Sequence, residues 1–291
     1  MTDRVTIRSD AVTAVINPLG AELTYLRDRD GRELMTDADP AFWTGHAPIL
    51  FPVVGMPFGE TIRIDGRAYP MKKHGFARAS VFDVVTTSDT SATFALTDTA
   101  ATRESYPFAF RLELTYTLDS AMLTVEAAVI NPADTPLPAS FGFHPAFAWP
   151  LPYGLDRAAH RILFDADEPD LLRTIAQDGT IAEARKPSPL DRRELHLRDD
   201  LFADDALVWD RVQSDAVSYG APTGPQLRIA FPDTPMLGIW TKPGAAYVCV
   251  EPWHGIADPE GYTGEYRDKP GVFEVPAGES KRIVMQVTLE A

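Results

Sequence analysis

The sequence contains one cysteine, Cys249, in 291 residues, which excludes an intramolecular disulfide framework and any multi-cysteine zinc or iron–sulfur site. It lacks any run approaching the ~20 apolar residues that a membrane helix requires. Met1-Thr2-Asp3-Arg4 leads straight into alternating, strand-like sequence with no apolar signal core behind it, so the cytoplasm is the expected compartment. Basic residues are also in short supply: 27 Lys and Arg stand against 42 Asp and Glu, a net charge of −15. Such a surface repels phosphate backbones and anionic lipid, so no nucleic acid and no membrane is expected as a partner. Also missing are a Gly-rich phosphate loop, a Walker lysine, a Gly-x-Ser-x-Gly elbow and a His-Glu-x-x-His helix, which sets aside the chemistries built on them.

What is abundant is proline, with 25 residues against a usual share of ~5 %. Spread along the whole chain, these prolines leave few windows long enough for a helix. Period-2 alternation fills the intervals. Phe110, Leu112, Leu114, Tyr116 and Leu118 share one face, and after a turn at Asp119-Ser120 the pattern returns in Leu123, Val125, Ala127 and Val129, predicting a long hairpin. Ile62 and Ile64 precede Asp65-Gly66, a tight-turn signal leading toward Tyr69. Ile283, Met285, Val287 and Leu289 repeat the alternation at the C-terminus. Helical windows are short: Asp199 to Trp209, and a turn over Leu171 to Ala176. The expected fold is an all-β sandwich or barrel with few short helices. No linker, low-complexity run or repeat divides residues 1–291, which are read as one domain. The loop-like stretch from Pro150 to Asp199 is where a two-domain boundary would fall.

Three residues stand out chemically. Glu251 ends the run Ala246-Tyr247-Val248-Cys249-Val250-Glu251, on the strand face of Tyr247 and Cys249. A carboxylate beside an apolar strand is costly unless paired or facing a wet cavity, and partial burial raises its pKa toward the range of a general base. The ordinary structural alternative is a strand-end glutamate paired with arginine. His144 lies in Ser140-Phe141-Gly142-Phe143-His144-Pro145, where the two phenylalanines take one face. Ser140, Gly142 and His144 take the other, as a floor for a ligand, and imidazole suits proton donation near neutrality. Capping of the turn at Pro145 is the plain alternative. His74 lies in Lys72-Lys73-His74-Gly75-Phe76-Ala77-Arg78, where glycine permits close backbone approach and Arg78 offers a planar fork to an anion or to hydroxyls. Otherwise this is a basic loop on an acidic surface. His254 follows Pro252-Trp253 and is expected at the same mouth as Glu251. Asp204 and Asp205 are hydroxyl acceptors or a solvated acidic turn. Trp43, Trp240 and Trp253 are sugar-stacking platforms or plain core. A metal site from His74, His144 and Glu251 has the residue types but no close ligand spacing, so no metal is expected.

Taken together, the segments resemble the aldose 1-epimerase (galactose mutarotase-like) family. The matching stretches are Asn17-Pro18-Leu19-Gly20-Ala21-Glu22-Leu23, Ala47-Pro48-Ile49-Leu50-Phe51-Pro52-Val53-Val54-Gly55, His74-Gly75-Phe76-Ala77-Arg78, Phe141-Gly142-Phe143-His144-Pro145-Ala146-Phe147, Asp204-Asp205-Ala206-Leu207 and Val250-Glu251-Pro252-Trp253. They follow the family's order and span almost the whole chain. The resemblance implies a single-domain β-supersandwich, a monosaccharide as partner, no cofactor, and a monomer or homodimer. It also implies roles: His144 as the acid that protonates the ring oxygen, Glu251 as the base on the anomeric hydroxyl, and His74 as the second histidine that polarises or holds the sugar. Asp205 is the match to the hydroxyl-binding aspartate, with Asp204 adjacent in register. The implied activity is mutarotation of an aldose. Two alternatives stand beside it: a non-catalytic sugar-binding or sensing protein, and a hexose-6-phosphate mutarotase drawing on Lys72, Lys73 and Arg78. One departure is plain. Family members commonly carry Gly-Arg after Leu-Phe-Pro, where this chain has Gly55-Met56, and Arg63, Arg67 or Arg78 are the substitutes available for the lost arginine.

Overall fold

Period-2 hydrophobicity becomes two large antiparallel sheets in the computed structural model, which describes residues 3–290. The nine-stranded sheet runs, in spatial order, through Glu194–His196, Arg161–Phe164, Ala216–Gly220, Gln226–Ala230, Ser280–Glu290, Met122–Ile130, Arg111–Asp119, Ser91–Thr97 and Asp83–Thr87. The seven-stranded sheet runs through Phe141–Gly142, Tyr247–His254, Met236–Trp240, Leu207–Trp209, Leu172–Ile175 and Ile181–Lys186, with Ala146–Ala148 also paired to Tyr247–His254. This is the expected β-sandwich architecture. The predicted hairpin is present, with Leu114 opposite Ala127 and Tyr116 opposite Val125. Asp65-Gly66, both at positive φ, joins Thr61–Ile64 to Arg67–Pro70, as a hairpin turn of this kind demands.

One buried cluster joins the inner faces of both sheets: Leu112, Leu114 and Tyr116 from the first meet Leu237, Ile239, Val248 and Val250 from the second. Alternation then dictates what the second sheet carries on its other face. Tyr247 and Cys249 form one small cluster there with Ala146, while Val208, Met236 and Trp253 form another. Side chains on this outer face must be covered by loops or left to line a hollow, and both happen.

Three local expectations are corrected. Leu172–Ile175 is a strand, where a helical turn was expected over 171–176. Leu172 pairs with Lys186 and Arg173 with Val208, so ladders on both sides outweigh a weak local preference. The window from Asp199 forms only a 3₁₀ turn to Phe202 before Leu207–Trp209 enters the sheet. The stretch from 150 to 199 holds four strands that enter both sheets. The longest helix among the described residues, Ala100–Ser105, was not anticipated; Thr99 caps it by accepting from the Thr102 amide.

Candidate active site

Strand Tyr247–His254 supplies the floor. Because Val248 and Val250 point into the core, Glu251 and Trp253 must point the other way. Trp253 lies along the sheet with its indole over Gly142 and Gly238, on the strands at either side. A Cβ at Gly142 would stand 2.6 Å from that ring, so the small residue read as a ligand floor is instead the seat of a tryptophan. Glu251 is 2 % exposed. His144, brought in by the segment after Phe141–Gly142, sets Nε2 3.1 Å from Glu251 Oε2.

His74 arrives from a separate loop. His74 and Gly75 are both left-handed, with φ of 67° and 70°, and a Cβ at Gly75 would run into the Phe51 carbonyl. The turn is locked by the His74 amide donating to Gly55 O at 2.9 Å. The Gly55 amide in turn donates to His74 Nδ1 at 3.1 Å. An accepting Nδ1 places the proton of neutral His74 on Nε2. The His74 and His144 rings meet edge to face, 5.9 Å between centroids. Trp43 covers His144 at 5.0 Å and Trp240 stands against Trp43.

These side chains surround a cavity of about 340 Å³, within the range of small-molecule sites. Glu251, His144, His74, Asp205, Arg78 and Trp253 all line it. Asp205 lines the cavity and Asp204 does not. Asp205 is itself left-handed at φ 73°, and its Oδ1 accepts from the Ala206 amide at 2.7 Å. Of the three arginines considered for the missing one, only Arg78 reaches the cavity; Arg63 donates to Thr263 O and Arg67 lies over Tyr69. Met56 is not among the lining residues; it packs against the apolar cluster behind the wall, next to Gly179. His254 is also outside it, edge-on to Phe273 at 4.8 Å, a correction that follows from strand alternation: it is one residue beyond Trp253. Sequence reasoning missed the wall made by Ile175, Gly179 and Ile181, because the stretch carrying them had no readable pattern. Lys73 was noticed only as part of a basic run.

Burial sets the electrostatics. It pushes the Glu251 carboxyl well above the usual carboxylate range, against a smaller pull from Lys73. It drives His144 down to about 3, and Lys73 and Arg78 further disfavour its imidazolium. His74 is pushed well down by burial and by the neighbouring His144. The direction is the same throughout: Glu251 and His144 rest as an uncharged pair with a proton between them. His144, Cys249 and Glu251 have potential ligand atoms within 4.8 Å of one another. Burial raises the Cys249 thiol far above its ordinary pKa, which keeps it a protonated, poor ligand.

A sequence model of the family described as aldose 1-epimerase matches residues 3–261. The chain belongs to the aldose 1-epimerase family. Among its relatives is the chromosomally encoded protein LacX of Lactococcus lactis subsp. lactis, 29 % identical, with 96 % of this chain and 97 % of LacX aligned. The crystal structure of a galactose mutarotase related enzyme from Lactobacillus acidophilus superposes with a TM-score of 0.91 at 30 % identity, covering 99 % of this chain and 98 % of that one. A galactose mutarotase-like protein from Lactobacillus casei gives 0.92 at 29 % identity, over 99 % of this chain and all of the other. The family's Gly-Arg pair remains Gly55-Met56 here, with the methionine turned into the apolar cluster.

Proposed function

We propose that the protein is an aldose 1-epimerase that interconverts the α and β anomers of an aldose by general acid/base ring opening and reclosure. The observation that carries this reading is the 3.1 Å contact between His144 Nε2 and Glu251 Oε2 on the cavity floor. Ring opening removes a proton from the anomeric hydroxyl and delivers one to the ring oxygen. Both oxygens are bonded to C1, so the two groups that serve them must be close neighbours. Moving the shared proton from Glu251 to His144 leaves a carboxylate that takes the hydroxyl proton and an imidazolium that protonates the ring oxygen, which returns the pair to its uncharged state. After rotation about C1–C2 the aldehyde closes on its other face and the protons return. The reaction moves only protons, and the pair needs one proton in total, which its buried, uncharged state provides.

His74, neutral with its proton on Nε2, is a hydrogen-bond donor to a sugar oxygen. Asp205 accepts from hydroxyls. Trp43, Trp240 and Trp253 supply apolar ring faces of the kind that pack on a pyranose.

The test is anomeric exchange followed by proton NMR on freshly dissolved α-glucose and α-galactose, against buffer alone. Wild type should accelerate exchange, and Glu251→Gln and His144→Asn should each lower kcat by ~10²–10⁴-fold. Sugar binding without acceleration by wild type would identify a binding or sensing protein instead.

A further inference from the structure

We infer that Asp258, with Lys269 as its counter-charge, is the positioning residue for His74, acting through the backbone contact between Ala257 and Gly55. The inference rests on the mutarotase reading for what His74 does, and on geometry alone for how it is held. Lys269 Nζ lies 2.9 Å from Asp258 Oδ1, with the two side chains 1 % and 4 % exposed. Neither residue lines the cavity. Two buried charges are costly to desolvate, and an apolar pair of similar volume often serves stability as well or better. Stability alone therefore does not account for charges here. What a carboxylate has and an apolar side chain lacks is direction. Asp258 Oδ2 accepts from the Phe58 amide at 2.9 Å. The Asp258 amide donates to Met56 O at 2.9 Å, and its carbonyl accepts from the Ile181 amide at 2.7 Å. Side chain and backbone together clamp both ends of residues 56–58.

The clamp reaches His74 through its neighbours. At φ 73°, a Cβ on Gly55 would stand 2.5 Å from the Ala257 Cβ and 2.6 Å from its nitrogen, so the two backbones touch. Gly55 in turn makes two hydrogen bonds to His74. Its carbonyl accepts from the His74 amide at 2.9 Å, and its amide donates to His74 Nδ1 at 3.1 Å. The other side of the ion pair is tied down as well. The Lys269 amide donates to Tyr266 O at 3.2 Å, and the Tyr266 hydroxyl donates to Pro52 O at 2.6 Å, three residues before Gly55. Asp258 is thus fixed against the segment that carries Gly55 from two directions. A displaced Gly55 would lengthen the bond to Nδ1 and release the tautomer, and the ring would no longer present its proton from Nε2 alone.

The experiment reads the His74 ring nitrogens by long-range proton–nitrogen NMR at pH 7, assigned by the signals lost in His74→Gln, beside the kinetics of anomeric exchange. Wild type should show Nδ1 bare and Nε2 protonated. Lys269→Met with Asp258→Leu removes both charges and the directed acceptor while keeping the volume filled. In that variant the His74 signals should move toward a mixture of tautomers. KM should rise about 3- to 10-fold, the loss of one hydrogen bond to the sugar, with kcat little changed. Lys269→Met with Asp258→Asn restores an uncharged acceptor for the Phe58 amide and should return most of the wild-type signature and KM. A purely structural pair would move stability and leave the ring signals alone. Wild-type His74 signals in the leucine variant, or equal losses in the leucine and asparagine variants, overturn the inference. If the leucine variant does not fold, Ala257→Gly, which removes the Cβ against Gly55, takes its place. The same tautomer mixing is expected there, and unchanged signals overturn the inference. If no sugar is turned over, the mutarotase reading fails, and the ring signals alone decide whether Asp258 positions His74.

Discussion

His144 Nε2 and Glu251 Oε2 stand 3.1 Å apart, each side chain more than nine-tenths buried, Glu251 on strand Tyr247–His254 and His144 just beyond the strand Phe141–Gly142, whose pairing sets Gly142 opposite Trp253. Burial is the largest influence on both and pushes the carboxyl up and the imidazole down, with Lys73 opposing the first shift and adding to the second.

The pH profile of turnover follows. The reactive pair carries one proton. His144, pushed down to about 3, accepts a second only in strong acid, and Glu251 holds the first through neutrality. Measured by NMR exchange from about pH 5 to about pH 8, kcat/KM should show no step at 6.5, the ordinary histidine value. A sigmoid centred there would mean that His144 titrates as a solvated imidazole.

Stability has the opposite sensitivity. In the window from 6.5 down to about 3 the unfolded chain protonates His144 and the folded chain does not. The unfolded state therefore binds more protons and stability falls as pH drops, by about 1.4 kcal/mol per unit from this group. His74 adds in the same direction, whereas Glu251, which the folded chain keeps protonated and the unfolded chain ionises above 4.5, opposes them. Thermal melts from pH 7 toward pH 5 should therefore show a Tm that falls less, or rises more, in His144→Asn than in wild type. Parallel slopes in the two proteins would rule this out.

Gly75 and Gly66 separate conformation from contact. Both have positive φ, but a Cβ at Gly66 meets open space whereas one at Gly75 strikes the Phe51 carbonyl. Gly66→Ala should cost ~1–2 kcal/mol, the left-handed penalty alone. Gly75→Ala should cost ~2 kcal/mol more and should raise KM, because His74 moves with it. Urea unfolding of the two variants gives the comparison, and equal losses would contradict it.

Lys269 and Asp258 form a buried ion pair at 2.9 Å. Asp258 also accepts from the Phe58 amide at 2.9 Å, and its backbone joins Met56 and Ile181, tying three segments of the cavity wall. Lys269→Met strands the carboxylate and should cost ~3–5 kcal/mol, much of it restored by adding Asp258→Asn. A denaturation midpoint that the second substitution lowers further would show that the pair is not what matters.

Much of this was legible in the sequence. Strand alternation is local and repeats every two residues, so Val248 and Val250 against Tyr247, Cys249 and Glu251 could be assigned to opposite faces without coordinates, as could the hairpins at Asp119-Ser120 and Asp65-Gly66. Proline frequency excluded long helices, and charge excluded nucleic acid as an expected partner. The family motifs singled out His74, His144, Asp205 and Glu251.

What alternation does not carry is which strand lies beside which. The strand at Leu172–Ile175, the wall at Gly179 and Ile181, and the absence of His254 and Met56 from the cavity lining depend on pairing between residues far apart in the chain. So do the seating of Trp253 on Gly142 and Gly238 and the choice of Asp205 over Asp204. The protonation of Glu251 and His144 belongs here too, since a pKa responds to how completely water is removed. Local period and composition determined the elements and their faces; long-range packing alone decided the cavity and its proton.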